Sequence, residues 1–102
     1  MGVTNTRAGV DTAYTSTTDG RLMAVNSDGS KVGIGLIPNS ATGEFGFFGL
    51  DSSDNLIFKI VNGVYYVYDI ANDKNIMQFG KLPDNTYGFA VAKQGKNVSE
   101  IF

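Results

Sequence analysis

This 102-residue chain contains no cysteine and no histidine. The lack of cysteine excludes disulfide bonds, thiolate metal sites and a thiol nucleophile. The lack of histidine removes the side chain that most often serves as a general base or a metal ligand at neutral pH. No apolar run approaches the roughly 18–20 residues that a membrane-spanning helix requires, so we expect no membrane insertion.

Charged residues are few and scattered: eight are basic and ten are acidic, which gives a net charge of −2. Nucleic acids and anionic membrane surfaces both require clustered lysine and arginine, so neither is expected as the main partner. A pair of carboxylates could in principle support glycoside hydrolysis. However, six aspartates fall at predicted turns or strand ends, where aspartate is favoured for backbone reasons: Asp28, Asp51, Asp54, Asp69, Asp73 and Asp84. We therefore expect a non-enzymatic protein without catalytic residues.

Two acidic stretches, 51–54 and 69–73, resemble fragments of calcium-binding loops. Neither has the spacing of an EF-hand, and neither supplies enough oxygen ligands by itself. The sequence therefore predicts no metal ion and no other cofactor.

Glycine and aromatic residues are abundant, with 13 Gly, five Tyr and seven Phe. This composition, without long helix-forming runs, favours strands and tight turns. We predict one all-β domain of short antiparallel strands and hairpins at residues 20–102, preceded by an extended Thr/Ser-rich arm or linker at 1–19. Strands are predicted at 21–26, 31–37, 44–50, 55–61, 64–70, 76–79 and 87–92, and 98–102 is predicted to be a short tail.

The strongest local pattern is the pair Asn62-Gly63 between two apolar runs. Asn-Gly suits the two positive-φ positions of a type I′ hairpin turn. Such a turn pairs Ile60 with Tyr65, Lys59 with Tyr66, and Phe58 with Val67. Both faces of this hairpin are largely apolar, so it is expected to be covered on both sides.

An internal repeat is the second pattern. Gly35–Asn39 followed by Phe45–Phe47 resembles Gly80–Asp84 followed by Tyr87–Phe89, and these stretches contain both prolines of the chain. The offset is about 45 residues, which predicts one repeat at about 21–62 and a second at about 66–102. Repeats usually build architecture, and two copies make only a small core. Neighbouring chains are therefore expected to complete it.

Two segments carry a resemblance to a family. One segment, Asp19–Asn26 together with Lys31–Gly35, is similar to a pattern in the C-terminal regions of phage tail fibre and minor tail structural proteins. The pattern reads Gly-Arg-apolar-x-apolar-Asn … apolar-x-Ile-Gly. Tyr87–Val98 resembles a frequent ending of the same proteins, with Ala92 and Asn97 where Ser and Asp are usual. The resemblance implies an intertwined trimeric β-structure at a fibre tip, which binds a host surface or caps the shaft.

If the resemblance holds, the chain is a homotrimeric, receptor-binding tip domain of a virion tail or an extracellular phage-like particle. Its partners would be copies of itself and a bacterial cell-surface glycan or protein receptor. We expect the trimer interface to include Phe47, Phe89, Gly33 and Gly35. Surface contacts with the receptor are expected at Asn39, Ser40, Thr42, Asp84, Asn85 and Thr86.

Two alternatives remain open. One is a purely structural virion or baseplate component, which would not bind host cells. The other is a monomeric β-sandwich carbohydrate-binding module, which would expose Tyr66 and Tyr68 for stacking on sugar rings. The structural interpretation is that these tyrosines pack in a core or in a subunit interface.

Overall fold

A computed structural model describes residues 2–7, 10–16, 20–40 and 42–102. The predicted all-β class is confirmed: within these residues, nine antiparallel strands form one sheet in chain order. The one helical segment of the described residues is a short 3-10 helix at Val98–Ile101. The strands are β1 Gly2–Arg7, β2 Val10–Ser16, β3 Arg21–Asn26, β4 Lys31–Leu36, β5 Phe45–Leu50, β6 Leu56–Val61, β7 Val64–Asp69, β8 Lys74–Lys81 and β9 Tyr87–Val91.

The seven predicted strands correspond to β3 through β9, and β8 extends two residues beyond the prediction at each end. Within the predicted arm at 1–19, β1 pairs with β2 and β2 pairs with β3, so the sheet continues into it. Residues 1, 8–9 and 17–19 of that arm lie outside the described residues. The predicted tail at 98–102 instead forms the 3-10 helix, in which Val98 is fully buried.

The hairpin of β6 and β7 has the predicted register. Lys59 is paired with Tyr66, and the pairs of Ile60 with Tyr65 and Phe58 with Val67 flank it. Both turn residues are in the left-handed region, with φ 52° at Asn62 and 76° at Gly63. A type I′ turn requires positive φ at both central residues, and hairpins favour it because its twist matches that of the flanking strands.

A bulge in β6 changes which side chains share a face. Gly49 pairs with Phe58, whereas the next residue, Leu50, pairs with Leu56, so Ile57 is an extra residue. Simple alternation would place Leu56 on the side of Phe58. The bulge turns it to the side of Leu50 instead, where it packs against the buried core.

The core lies on one side of the sheet, which we call the covered face. Its larger cluster consists of Ile37, Phe48, Leu50 and Val61. A second, smaller cluster consists of Leu82, Ala90 and Val98. Ile37, Leu82 and Val98 come from segments outside the strands, so connecting segments, and not a second sheet, supply the cover.

Gly33 is the residue that admits the largest fully buried side chain. The ring of Phe48 lies beside it, and a Cβ at position 33 would be 2.3 Å from Phe48 Cζ. Phe48 has no exposed surface at all. Glycine therefore provides the space that this aromatic ring fills.

The two glycines at the ends of β4 and β8 have similar environments. Gly35 has φ 130° and Gly80 has φ 111°. A Cβ would be 2.1 Å from the Gly20 carbonyl oxygen at position 35, and 2.6 Å from the Gly63 carbonyl oxygen at position 80. Only glycine accepts both this backbone conformation and this close approach.

The loops that follow these glycines are also closed alike. The Ile37 N–H donates to the Glu44 carbonyl at 2.8 Å, and the Leu82 N–H donates to the Thr86 carbonyl at 2.7 Å. Each loop contains an asparagine with positive φ, 60° at Asn39 and 68° at Asn85. Both prolines therefore lie in loops that leave the same end of the sheet.

Candidate functional surfaces: an apolar face and a polar cleft

The side of the sheet opposite the covered face is apolar across seven strands. Strand register places one continuous row of apolar neighbours on it: Leu22, Ile34, Phe47, Ile60, Tyr65, Phe79 and Phe89. A second row runs beside it: Ala24, Val32, Gly49, Phe58, Val67, Met77 and Val91. We call these two rows, with Leu36, Phe45 and Tyr87 at their border, the apolar face.

The apolar face is accessible in the single chain. Half or more of the surface of Phe47, Phe79 and Phe89 is exposed, and Tyr87 is 79% exposed. From typical side-chain areas, the exposed part of the face amounts to roughly 1,000 Å². The largest apolar patch of a typical monomer is only about 300–600 Å². Exposed apolar patches of this size are typical of protein or membrane contact sites, and one side of a standard protein–protein interface buries about 800 Å².

The aromatic side chains of this face already contact one another. The ring centroids of Tyr65 and Phe79 are 5.9 Å apart, and those of Phe79 and Phe89 are 5.7 Å apart in an edge-to-face arrangement. Side chains ordered in this way lose less conformational entropy when a partner binds. The face is therefore suited to rigid docking.

The four residues expected at a trimer interface are divided between the two sides of the sheet. Phe47 and Phe89 lie in the same row of the apolar face. Gly33 and Gly35 lie on the covered face, where Phe48 and the backbone of Gly20 fill the space beside them. The structure brings the two phenylalanines to one surface and separates them from the two glycines.

A polar cleft of about 630 Å³ opens on the covered side, between the loop after β4 and the turn after β7. Its walls combine apolar and polar side chains. They are formed by Ile37, Pro38, Asn39, Ser40, Thr42, Glu44, Asn55, Leu56, Lys59, Tyr68, Asp69, Ile70 and Asp73. We refer to this site as the cleft.

Lys59 lies in β6, lines the cleft and connects this strand to β7 and to the loop before β5. Its Nζ donates a hydrogen bond to Glu44 Oε1 at 2.7 Å. The same ammonium lies 4.9 Å from the centre of the Tyr66 ring, its cross-strand neighbour, which is a cation–π contact. Tyr68, which also lines the cleft, is a third neighbour that affects the pKa of Lys59.

This environment determines the charges in the cleft. Burial by itself would lower the pKa of Lys59, but the hydrogen bond with Glu44 and the neighbouring Tyr68 outweigh it and raise that pKa. Burial raises the pKa of Tyr68. At neutral pH Lys59 is therefore an ammonium and Tyr68 an uncharged phenol.

Glu44 also fixes the loop that borders the cleft. Its backbone N–H donates to Ser40 Oγ at 3.1 Å, and the Ser40 hydroxyl donates to Glu44 Oε1 at 3.3 Å. Because Glu44 is bound to Lys59 as well, the loop is anchored to β6. Asn39, Ser40 and Thr42 consequently line the cleft.

The second expected contact segment lies elsewhere. Asp84, Asn85 and Thr86 are exposed and do not line the cleft. Their turn is closed by the Thr86 N–H, which donates to Asp84 Oδ1 at 3.1 Å. Sequence reasoning missed the contribution of Lys59, although a lysine in the middle of an apolar strand was a signal for it.

Four of the six turn aspartates, Asp28, Asp51, Asp69 and Asp84, accept local hydrogen bonds. Asp51 Oδ1 accepts from the N–H groups of Ser53 and Asn55, both at 2.9 Å. The pKa of Asp51 is lowered, mainly by the hydrogen bonds from Asn55. Among the described residues, no cluster of three or more acidic side chains is placed to bind a metal ion. No helix in the described part of the chain has the length and apolarity needed to cross a membrane.

Comparison of the chain with protein-family models, with curated proteins and with solved structures gave no match.

Proposed function

We propose that this chain is a non-enzymatic tip domain of a phage-like tail fibre, which forms a homotrimer and attaches to a bacterial host surface. The observation that supports assembly is the apolar face, which remains exposed in the single chain. The assignment to a tail fibre rests on the resemblance of Asp19–Gly35 and Tyr87–Val98 to such proteins.

A second copy of this chain is the partner that best fits the apolar face. Neither of its two rows contains a charged side chain, so a charged partner surface would lose hydration without gaining an ion pair. Burial of roughly 1,000 Å² per chain would reach the size of one side of a standard protein–protein interface, about 800 Å².

A three-fold arrangement would use both sides of the sheet. Three apolar faces would meet around the axis, with Phe47 and Phe89 close to it, and each covered face would point outward. The cleft, which lies on the covered side, would remain accessible to a receptor. This arrangement places assembly and attachment on opposite surfaces of one sheet.

The two halves of the chain are proposed to be copies of one three-stranded unit. Gly20 precedes β3, β4 and β5, and Gly63 precedes β7, β8 and β9, each with positive φ. The alike environments of Gly35 and Gly80 support this division. In this scheme β6 joins the units, and their apolar rows continue across it into one face.

Light scattering at micromolar concentration tests the assembly. We expect a mass close to three times the 10.9 kDa of the chain. A monomer mass under these conditions would contradict the proposal, because the apolar face would then have no partner. A monomer would favour the alternative activity, glycan binding by a carbohydrate-binding module. The described strands, however, form one sheet and not the two stacked sheets of a β-sandwich.

Binding of the labelled protein to intact bacteria tests attachment. An adhesin should bind cells of its host and be displaced by excess unlabelled protein. The second candidate, a structural virion component, shares the apolar face but predicts assembly without cell binding. A trimer that binds none of a broad bacterial panel would favour that candidate.

A further inference from the structure

The cleft has the position expected of a binding site that functions in the assembled protein. It lies on the covered side of the sheet, whereas the proposed contacts between chains use the apolar face. Its volume of about 630 Å³ falls within the roughly 300–1,000 Å³ of small-molecule sites. Assembly would therefore leave it open.

The charges of the cleft disfavour an anionic ligand. Its one cation, Lys59, is neutralised by Glu44 at 2.7 Å. Asp69 is occupied by Asn72, whose side-chain amide donates to Asp69 Oδ2 at 2.7 Å. Asp73 lines the cleft as well and is exposed. Two aspartates thus remain without a cationic partner in the cleft, and their field would repel carboxylates and phosphates.

The uncharged groups of the walls suit a different chemistry. Ile70, which is exposed, and Leu56, which is partly buried, provide apolar surface for C–H groups. Asn39 and Asp73 provide an amide and a carboxylate, which together donate to and accept from hydroxyl groups. Molecules that present apolar C–H patches next to many uncharged hydroxyls are sugars.

We infer that the cleft binds a short neutral oligosaccharide, with Asn39 and Asp73 as hydrogen-bonding contacts and Tyr68 as part of the wall. The inference rests on the proposed attachment function and names the receptor chemistry that this site fits. Lys59 and Glu44 act as positioning residues, because their ion pair holds the loop of Asn39 against β6.

The test measures binding of the full chain to immobilised glycans. The probes are neutral oligomers of glucose, galactose, mannose and N-acetylglucosamine, and acidic glycans that contain uronic or sialic acid. We expect binding to at least one neutral probe and none to the acidic probes.

Two variants remove the proposed contacts while they keep the backbone. Asn39→Gly retains the positive φ of 60°, and Asp73→Asn retains side-chain shape at φ 52°. Each is expected to weaken binding about tenfold or more, since loss of a hydrogen bond to a charged or buried group costs about 1.5–3 kcal/mol. Matched controls outside the cleft, Asn62→Gly and Asp54→Asn, also have positive φ and should leave binding unchanged.

Absence of binding to every neutral probe would overturn the inference, and so would preference for acidic probes. Equal binding by the cleft variants and their controls would also overturn it, provided that circular dichroism shows all four folded. The oligomeric mass, measured in parallel, distinguishes failure of this inference from failure of the proposed function. A trimer that binds cells but no neutral glycan retains the function and loses this site, whereas a glycan-binding monomer retains the site and loses the assembly.

Discussion

At the scale of single residues, glycines determine how closely the covered face can pack. The ring of Phe48 occupies the position that a side chain on Gly33 would take. Gly88 also lies in a strand, but a Cβ there would be 3.6 Å from Leu82 Cδ1, an ordinary contact. The two glycines thus differ in environment although both lie within strands.

Gly33→Ala is therefore expected to destabilise the protein by about 2 kcal/mol or more, because the buried ring has no space into which it could move. Gly88→Ala is the matched control, and it should be neutral or stabilise by about 0.5–1 kcal/mol. Urea unfolding followed by circular dichroism measures both. Equal stability of the two variants would show that Phe48 does not require the space at Gly33.

At the scale of the element, three turns are built on the same hydrogen bond. Asp28, Asp51 and Asp84 each accept an N–H from two residues further along, at 2.8, 2.9 and 3.1 Å. These local bonds lower the pKa of all three carboxyl groups. Aspartate in these turns therefore has a structural role that is sensitive to pH.

The sign of the pH effect follows from these lowered pKa values. A carboxyl group whose pKa is lower in the folded state stabilises the fold above its unfolded pKa of about 3.9. That contribution is lost as the pH falls through the folded pKa. We expect the midpoint of thermal unfolding to decrease between pH 6 and pH 3.

The combined variant Asp28→Asn, Asp51→Asn and Asp84→Asn tests this origin. Asparagine keeps an oxygen that can accept the turn hydrogen bond but does not titrate in this range. The variant should lose part of the acid sensitivity of the unfolding midpoint. Undiminished sensitivity would show that the effect arises from other groups.

At the scale of the whole molecule, the two faces of one sheet have opposite characters. The covered face is closed by the chain's own loops around Phe48, whereas the apolar face is open and uncharged in both rows. If copies of the chain associate through the apolar face, as proposed, the stability of the fold should depend on protein concentration.

The variant Phe47→Lys with Phe89→Lys tests the role of the apolar face. Two charges in the row that contains Phe47 and Phe89 should weaken association by roughly 30-fold or more, since central aromatic contacts contribute about 2 kcal/mol or more. Light scattering measures the loss of mass. Phe102→Lys is the control, because this phenylalanine is 51% exposed but belongs to no strand. If the double variant assembles as well as the control, the face is not the interface.

The strands and the central hairpin could be predicted from the sequence because their determinants are local. Turn residues such as Asn62-Gly63 specify φ directly, and the period of the apolar residues specifies the strands. The cleft could be predicted only in part. The loop pattern predicts a contact at Asn39, but the anchoring of this loop to β6 depends on the pair of Glu44 and Lys59, which are 15 positions apart in sequence.

The sequence by itself determined the all-β class, the strand order of the hairpin and the positions of most turns, since each depends on a few neighbouring residues. The tertiary structure decided which face is covered. Bulges at Ile57 and Ile76 reset the alternation, and the loop of Ile37 returns over only one side. The exposure of Phe47 and Phe89 on one surface depends on the four pairing registers from β5 to β9, which no local pattern specifies.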